Sequence, residues 1–132
     1  MINADAKWKK KGVLVIAHGS RNNEANEAVT ALVERLKGRL ETGLVEAAFL
    51  ELANPSIPEG IRALAAKGME TLVVYPFFLS MGVHLKKDVP QIVEEAVASL
   101  GRELSCQILE PLGMHPKVMD IIVDTLLNEV RE

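Results

Sequence analysis

Apolar positions along the chain fall into two alternating patterns. Four short runs, Gly12–Ala17, Leu44–Leu50, Thr71–Phe77 and Leu104–Leu109, are nearly continuous, and the β-branched richness of "VLVI" and "TLVV" marks buried strands. Between them, Val29, Leu32, Val33, Leu36 and Leu40 recur at helical spacing, as do Ile61, Leu64 and Ala65, then Ile92, Val93, Ala96 and Val97. The segment Pro116 to Val130 repeats the pattern with Val118, Ile121, Ile122, Thr125 and Leu126. Gly43, Gly68 and Gly101 stand where helices should stop, and Pro58, Pro90 and Pro116 in expected first turns. The order βαβαβαβα predicts an α/β fold: a four-stranded, mostly parallel sheet with right-handed crossovers and helices on both faces. One domain is expected over residues 12–132, after an N-terminal extension, residues 1–11, expected to be poorly ordered.

Open α/β sheets bind ligands beyond the carboxyl ends of their strands, where loops vary without disturbing the core. The first strand ends at His18, the second at Glu51, and the third runs into "FLSMGVHLKKD", a loop carrying His84. The predicted topology thus brings two of the three histidines and a carboxylate to one rim. Taken singly, each has a bland explanation: a strand-end histidine bonded to backbone, a solvated carboxylate, a surface-loop histidine. Together they form a familiar coordination set for a divalent first-row metal. Imidazole is ordinarily mostly neutral at pH 7, so it can ligate a metal or accept a proton. The set lacks the thiolates of a closed structural site and suits a metal that must leave.

Around it, Phe77, Phe78, Leu79, Met81 and Val83 are too apolar for a solvent loop; they either cap the core or wall a flat apolar ligand, with Gly82 as a hinge. Lys86 and Lys87 place positive charge beside His84, and Ser20 and Arg21 follow the first strand, where an arginine can hold a carboxylate bidentately. His115, before Pro116, most simply marks the entrance to the last helix.

Composition narrows the classes. With 48% hydrophobic and 25% charged residues among 132, the chain is an ordinary globular domain rather than a disordered one. A net charge of -3 argues against a general nucleic-acid binder, which needs a basic face. The longest apolar-rich stretch, Leu72 to Val83, is broken by Pro76, Ser80 and Gly82 and is too short to span a membrane. The start "MINADAKWKKKG" has no apolar signal-like core, and the single Cys106 has no internal disulfide partner. A soluble cytoplasmic protein is expected.

Four ordered segments, "VIAHGSR", "FLELANPSIPEGI", "VVYPFFLSMGVHLKKDVP" and "EPLGMHP", resemble the small, single-domain sirohydrochlorin cobaltochelatase and ferrochelatase family, the class II chelatases, over about residues 12 to 130. The resemblance implies a chelatase-like fold and a lyase that inserts a divalent metal into sirohydrochlorin, in cobalamin or sirohaem biosynthesis. The metal is substrate, with no permanent cofactor: Co²⁺ first, Fe²⁺ or Ni²⁺ as alternatives. It assigns His18 and His84 to metal handling and catalysis, with Glu51 as the accompanying carboxylate. Ser20, Arg21, Phe78, Leu79, Met81, Gly82, Val83, Lys86 and Lys87 would contact the tetrapyrrole. Longer family members hold two copies of this unit, so a single-copy chain is expected to form a homodimer, without nucleic acid or membrane as partner. The histidine-rich tract of some relatives is missing.

Two other functions fit parts of the pattern. A histidine phosphatase or phosphoglycerate mutase also carries a histidine after its first strand, but Ala17 stands where its arginine would be; a serine hydrolase fits less well still, since "HGSRN" lacks the glycine after serine of a nucleophile elbow. A non-catalytic metal-binding or metal-delivery module would use the same His18, Glu51 and His84.

Overall fold

In a computed structural model that describes residues 7–131, four parallel strands alternate with four helices. They are β1 (Lys11–Ala17), α1 (Asn23–Leu40), β2 (Val45–Phe49), α2 (Ile57–Ala66), β3 (Thr71–Pro76), α3 (Val83–Ala98), β4 (Ser105–Ile108) and α4 (Lys117–Glu129), with a 3-10 turn at Leu112–Met114 before α4. The sheet order is β2-β1-β3-β4, with Ala17 beside Phe49 and Ile16 beside Pro76 at the carboxyl edge.

Side-chain alternation on the strands sorts the core into two layers. Leu14 and Ile16 of β1, with Leu72 and Val74 of β3, face α2 and α3 and pack against Ile61, Leu64, Val89 and Val93. Val13, Val15 and Ala17 face the other way, against Val33 of α1, with Val45, Ala47 and Phe49 of β2. Helices therefore lie on both faces, as the periodicity predicts. Helix α2 starts on a reciprocal capping box in which the Glu59 amide donates to the Ser56 hydroxyl and the Ser56 amide to the Glu59 carboxylate. Hydrogen bonding from Ser56 to the carboxylate, its amide first and then its hydroxyl, holds the Glu59 carboxyl below its usual range.

Four local expectations change. Pro90 is inside α3 rather than in its first turn, because the helix begins at Val83. The segment around His84, expected as a loop, is that first turn. The reason is burial: Leu85, Val89, Ile92, Val93 and Ala96 form one apolar stripe on the α2-side core, and it continues back past Pro90. Helix α1 stops not at Gly43 but at Glu41, which takes the left-handed conformation, φ 54°, while Gly68 and Gly101 do follow their helices with positive φ. Lys11, assigned to the extension by sequence, opens β1, and Trp8 packs against the α1-side core. The remaining expectation of poor order, over residues 1–6, lies outside the described residues. Helix α4 forms where its periodicity places it, yet none of its residues is buried.

Candidate functional site

The crevice of a parallel sheet opens where strand order reverses. Here that point lies between β1 and β3, because the chain runs from β1 outward to β2 and returns to β3 on the other side. His18, the first residue after β1, stands exposed at this point. Its imidazole lies against the Phe78 ring, with centroids 4.5 Å apart and planes tilted by 45°.

Two backbone features hold His18 and Glu51 side by side. The Glu51 amide donates to the His18 carbonyl at 3.1 Å, extending the β1–β2 pairing one step beyond the strands. Gly19, at φ 91°, passes so close to Glu51 that a Cβ there would overlap the Glu51 carbonyl oxygen. Beyond Glu51 the chain loops back, and the Phe49 amide donates to the Pro55 carbonyl at 2.8 Å, closing the base of the loop that carries Glu51 and Leu52.

His84 is exposed on the first turn of α3, after the Leu79–Gly82 connection, at the same sheet edge. Among the described residues no three His, Cys, Asp or Glu side chains gather closely enough to hold a metal ion. The structure thus joins His18 and Glu51 through their backbones and leaves His84 across the crevice on its own element.

The residues expected around the macrocycle separate. Phe78 is 5% exposed: rather than walling a ligand with its face, it belongs to the α2-side core and supports His18 from beneath. Met81 is half-buried against that core, whereas Leu79 and Val83 stand out at 74% and 84% exposure, and Gly82 is the exposed residue preceding α3. Lys86 and Lys87 are exposed on α3, and Arg21 is exposed before α1. Ser20 is fixed by Asn26: its amide donates to Asn26 Oδ1 at 2.9 Å, and Asn26 Nδ2 donates to its carbonyl at 2.8 Å. With Arg21, Asn23 and Leu52 they line a hollow of about 320 Å³ between α1 and the Glu51 loop. Asn26 escaped the sequence reading. Its signal was a helix-disfavoured amide within the second turn of α1, four residues after the Asn22 cap. His115 lies at the entrance to α4, where its Nδ1 accepts from the Lys117 amide at 3.1 Å.

A four-stranded parallel sheet in the order β2-β1-β3-β4, with helices on both faces and an exposed histidine at its reversal point, has the architecture of the chelatase-like α/β class. The chain belongs to the CbiX family, whose sequence model matches residues 12–129. It is 33% identical over 115 residues to the chloroplastic sirohydrochlorin ferrochelatase of Arabidopsis thaliana, covering 87% of this chain and 51% of that protein. It is 32% identical over 117 residues to the sirohydrochlorin cobaltochelatase of Saccharolobus solfataricus, covering 85% of this chain and 90% of that protein. A crystal structure of a CbiX protein from Marinobacter aquaeolei VT8 superposes with a TM-score of 0.78 at 30% identity, covering 90% of this chain and 96% of that one. The chain therefore spans about half of the Arabidopsis ferrochelatase and 42% of the Priestia megaterium one, but most of the Saccharolobus protein.

Proposed function

We propose that this chain is a sirohydrochlorin chelatase that inserts a divalent metal, Co²⁺ in the first instance, into a tetrapyrrole. The observation that carries the reading is the exposed His18 imidazole at the sheet's reversal point, joined by backbone to Glu51. The names of the family relatives, which include both cobalt and iron enzymes, support it.

The reaction needs little covalent chemistry. A free-base tetrapyrrole gives up two pyrrole N–H protons as M²⁺ enters, so the site must release a metal and collect protons. His18 and His84 serve as transient ligands and then as proton acceptors, and Glu51 steadies the metal or relays a proton. An incomplete ligand set in each protomer suits that cycle, because a closed one would retain the ion. The exposed Leu79 and Val83 offer apolar contact to the macrocycle, while Lys86, Lys87 and Arg21 receive its acidic substituents. One small domain provides one wall of such a cleft. A two-fold homodimer whose His18 and His84 rims face a shared cavity would provide the other.

A metal-delivery module would use the same ligands, and a spectrum separates the two. With sirohydrochlorin and Co²⁺, Fe²⁺ or Ni²⁺ in parallel under anaerobic conditions, the protein should accelerate the visible absorption change over the uncatalysed control for at least one metal. A protein that only slows the change by sequestering the ion would be a metal carrier, and the chelatase reading would fall.

A further inference from the structure

Among the described residues three that are not glycine take a positive φ, and one of the three is apolar. Lys10 and Glu41, at 62° and 54°, are polar residues in turns, Glu41 where α1 ends. Leu52, at 64°, lies in the loop that leaves β2, next to Glu51. In this region Cβ crowds the following carbonyl oxygen, so the backbone favours glycine or asparagine, and a bulky side chain is an outlier.

The fold holds Leu52 in this state from both sides. Before it, the Leu50 amide donates to the Ala17 carbonyl at 3.0 Å and the Glu51 amide to the His18 carbonyl. After it, the Pro55 carbonyl accepts from the Phe49 amide, and the capping box of α2 begins at Ser56. The chain must reverse between these anchors, and the left-handed residue lies within the reversal. Core packing does not account for a leucine there. Leu50 packs against the α2-side core and Ala53 against the α1-side core, whereas Leu52 joins neither and is 55% exposed. Strain of this kind persists where the surroundings over-determine it, and it gathers at ligand clamps.

We infer, on the chelatase reading above, that Leu52 is a further substrate-binding residue, gripping the tetrapyrrole on the β2 flank of His18, across from Leu79 and Val83. The sheet order puts β2 and β3 on either side of β1. Neighbouring strands lie about 4.8 Å apart, so the ends of β2 and β3 are about 10 Å apart, a width that a tetrapyrrole ring bridges. Leu52 follows β2, and the exposed Leu79 and Val83 follow β3. His18, after β1, stands between them, where the central nitrogens of a ring resting on both flanks would lie. Leu52 also lines the hollow that holds Arg21. An apolar side chain and a guanidinium side by side suit a ligand that is apolar across its face and acidic at its edge.

Two truncations separate side chain from backbone, read by titration with metal-free sirohydrochlorin and by thermal melting. Leu52→Ala and Leu52→Gly both remove the contact, and only glycine relieves the left-handed strain. Both should bind about five- to tenfold more weakly than wild type, while Leu52→Gly melts about 3–5 °C above Leu52→Ala. Leu52→Met keeps an apolar side chain of similar volume and should bind within about twofold of wild type. Glu41→Gly relieves the same conformation at the far end of α1 and should leave binding unchanged. Wild-type affinity in both truncations, with a wild type that binds sirohydrochlorin and inserts metal, would overturn the contact alone. So would Leu52→Met binding as weakly as Leu52→Ala, or Leu52→Gly regaining the affinity that Leu52→Ala loses. Equal melting of the alanine and glycine variants would remove the strain that singles Leu52 out, and with it the clamp. A wild type that does not bind sirohydrochlorin would overturn the chelatase reading and this contact together.

Discussion

Replacing His18 with alanine should lower metal insertion by at least about tenfold, roughly 1.4 kcal/mol in barrier, and leave the protein folded. The imidazole is exposed, so its loss removes no core packing, and the Phe78 ring beneath it stays in the α2-side cluster. The expected signature is therefore a slow enzyme with an unchanged melting temperature and circular dichroism spectrum. His84→Ala should behave alike, since His84 is exposed on the first turn of α3 and supports nothing else there. Rates equal to wild type in either well-folded variant would remove that residue from the mechanism.

Gly19→Ala should act through the backbone rather than through chemistry. A side chain at φ 91° is strained by about 1–2 kcal/mol. The Glu51 carbonyl must also move aside, straining the bond from the Glu51 amide to the His18 carbonyl, worth about 1 kcal/mol. A loss of about 2–3 kcal/mol in stability is expected, read as a lower urea midpoint, with insertion falling further than in His18→Ala because both rim residues are displaced. A midpoint and rate equal to wild type would show that the rim does not depend on this close approach.

Much of this was legible in the sequence because strand and helix periods differ. The continuous runs at Gly12–Ala17 and Thr71–Phe77 match their strands within a residue or so, since both strands carry apolar groups at nearly every position: β1 is buried on both faces, and β3 fully on its α3 side and partly on the other. The placement of His18 and Glu51 followed, because the carboxyl edge is set by topology alone. The start of α3 is less legible: Pro90 suits a first turn by its missing N–H, while the stripe from Leu85 through Val89 to Ile92, packed on the α2-side core, carries the helix past it. For Phe78 the sequence leaves core cap and ligand wall both open, because it shows hydrophobicity and not which face of the sheet receives it; the structure has it capping the core. Asn26 was missed because its bonds to Ser20 join a helix to a turn, and no periodicity marks such a pair. The isolation of α4 was beyond reach for a related reason. An apolar stripe says that a surface must be covered, and not whether the cover comes from the same chain.

Mapping metal-free sirohydrochlorin on the protein by amide and imidazole chemical shifts tests the site most directly, because it needs no assumption about which metal is used. Shifts should concentrate at His18, Gly19 and Glu51, along Leu79 to His84, and at Lys86 and Lys87, with the α2 surface around Arg62 unmoved. Saturable shifts confined to the α1 side of the sheet around Leu32, Leu36 and Tyr75, with His18 and His84 silent, would contradict it.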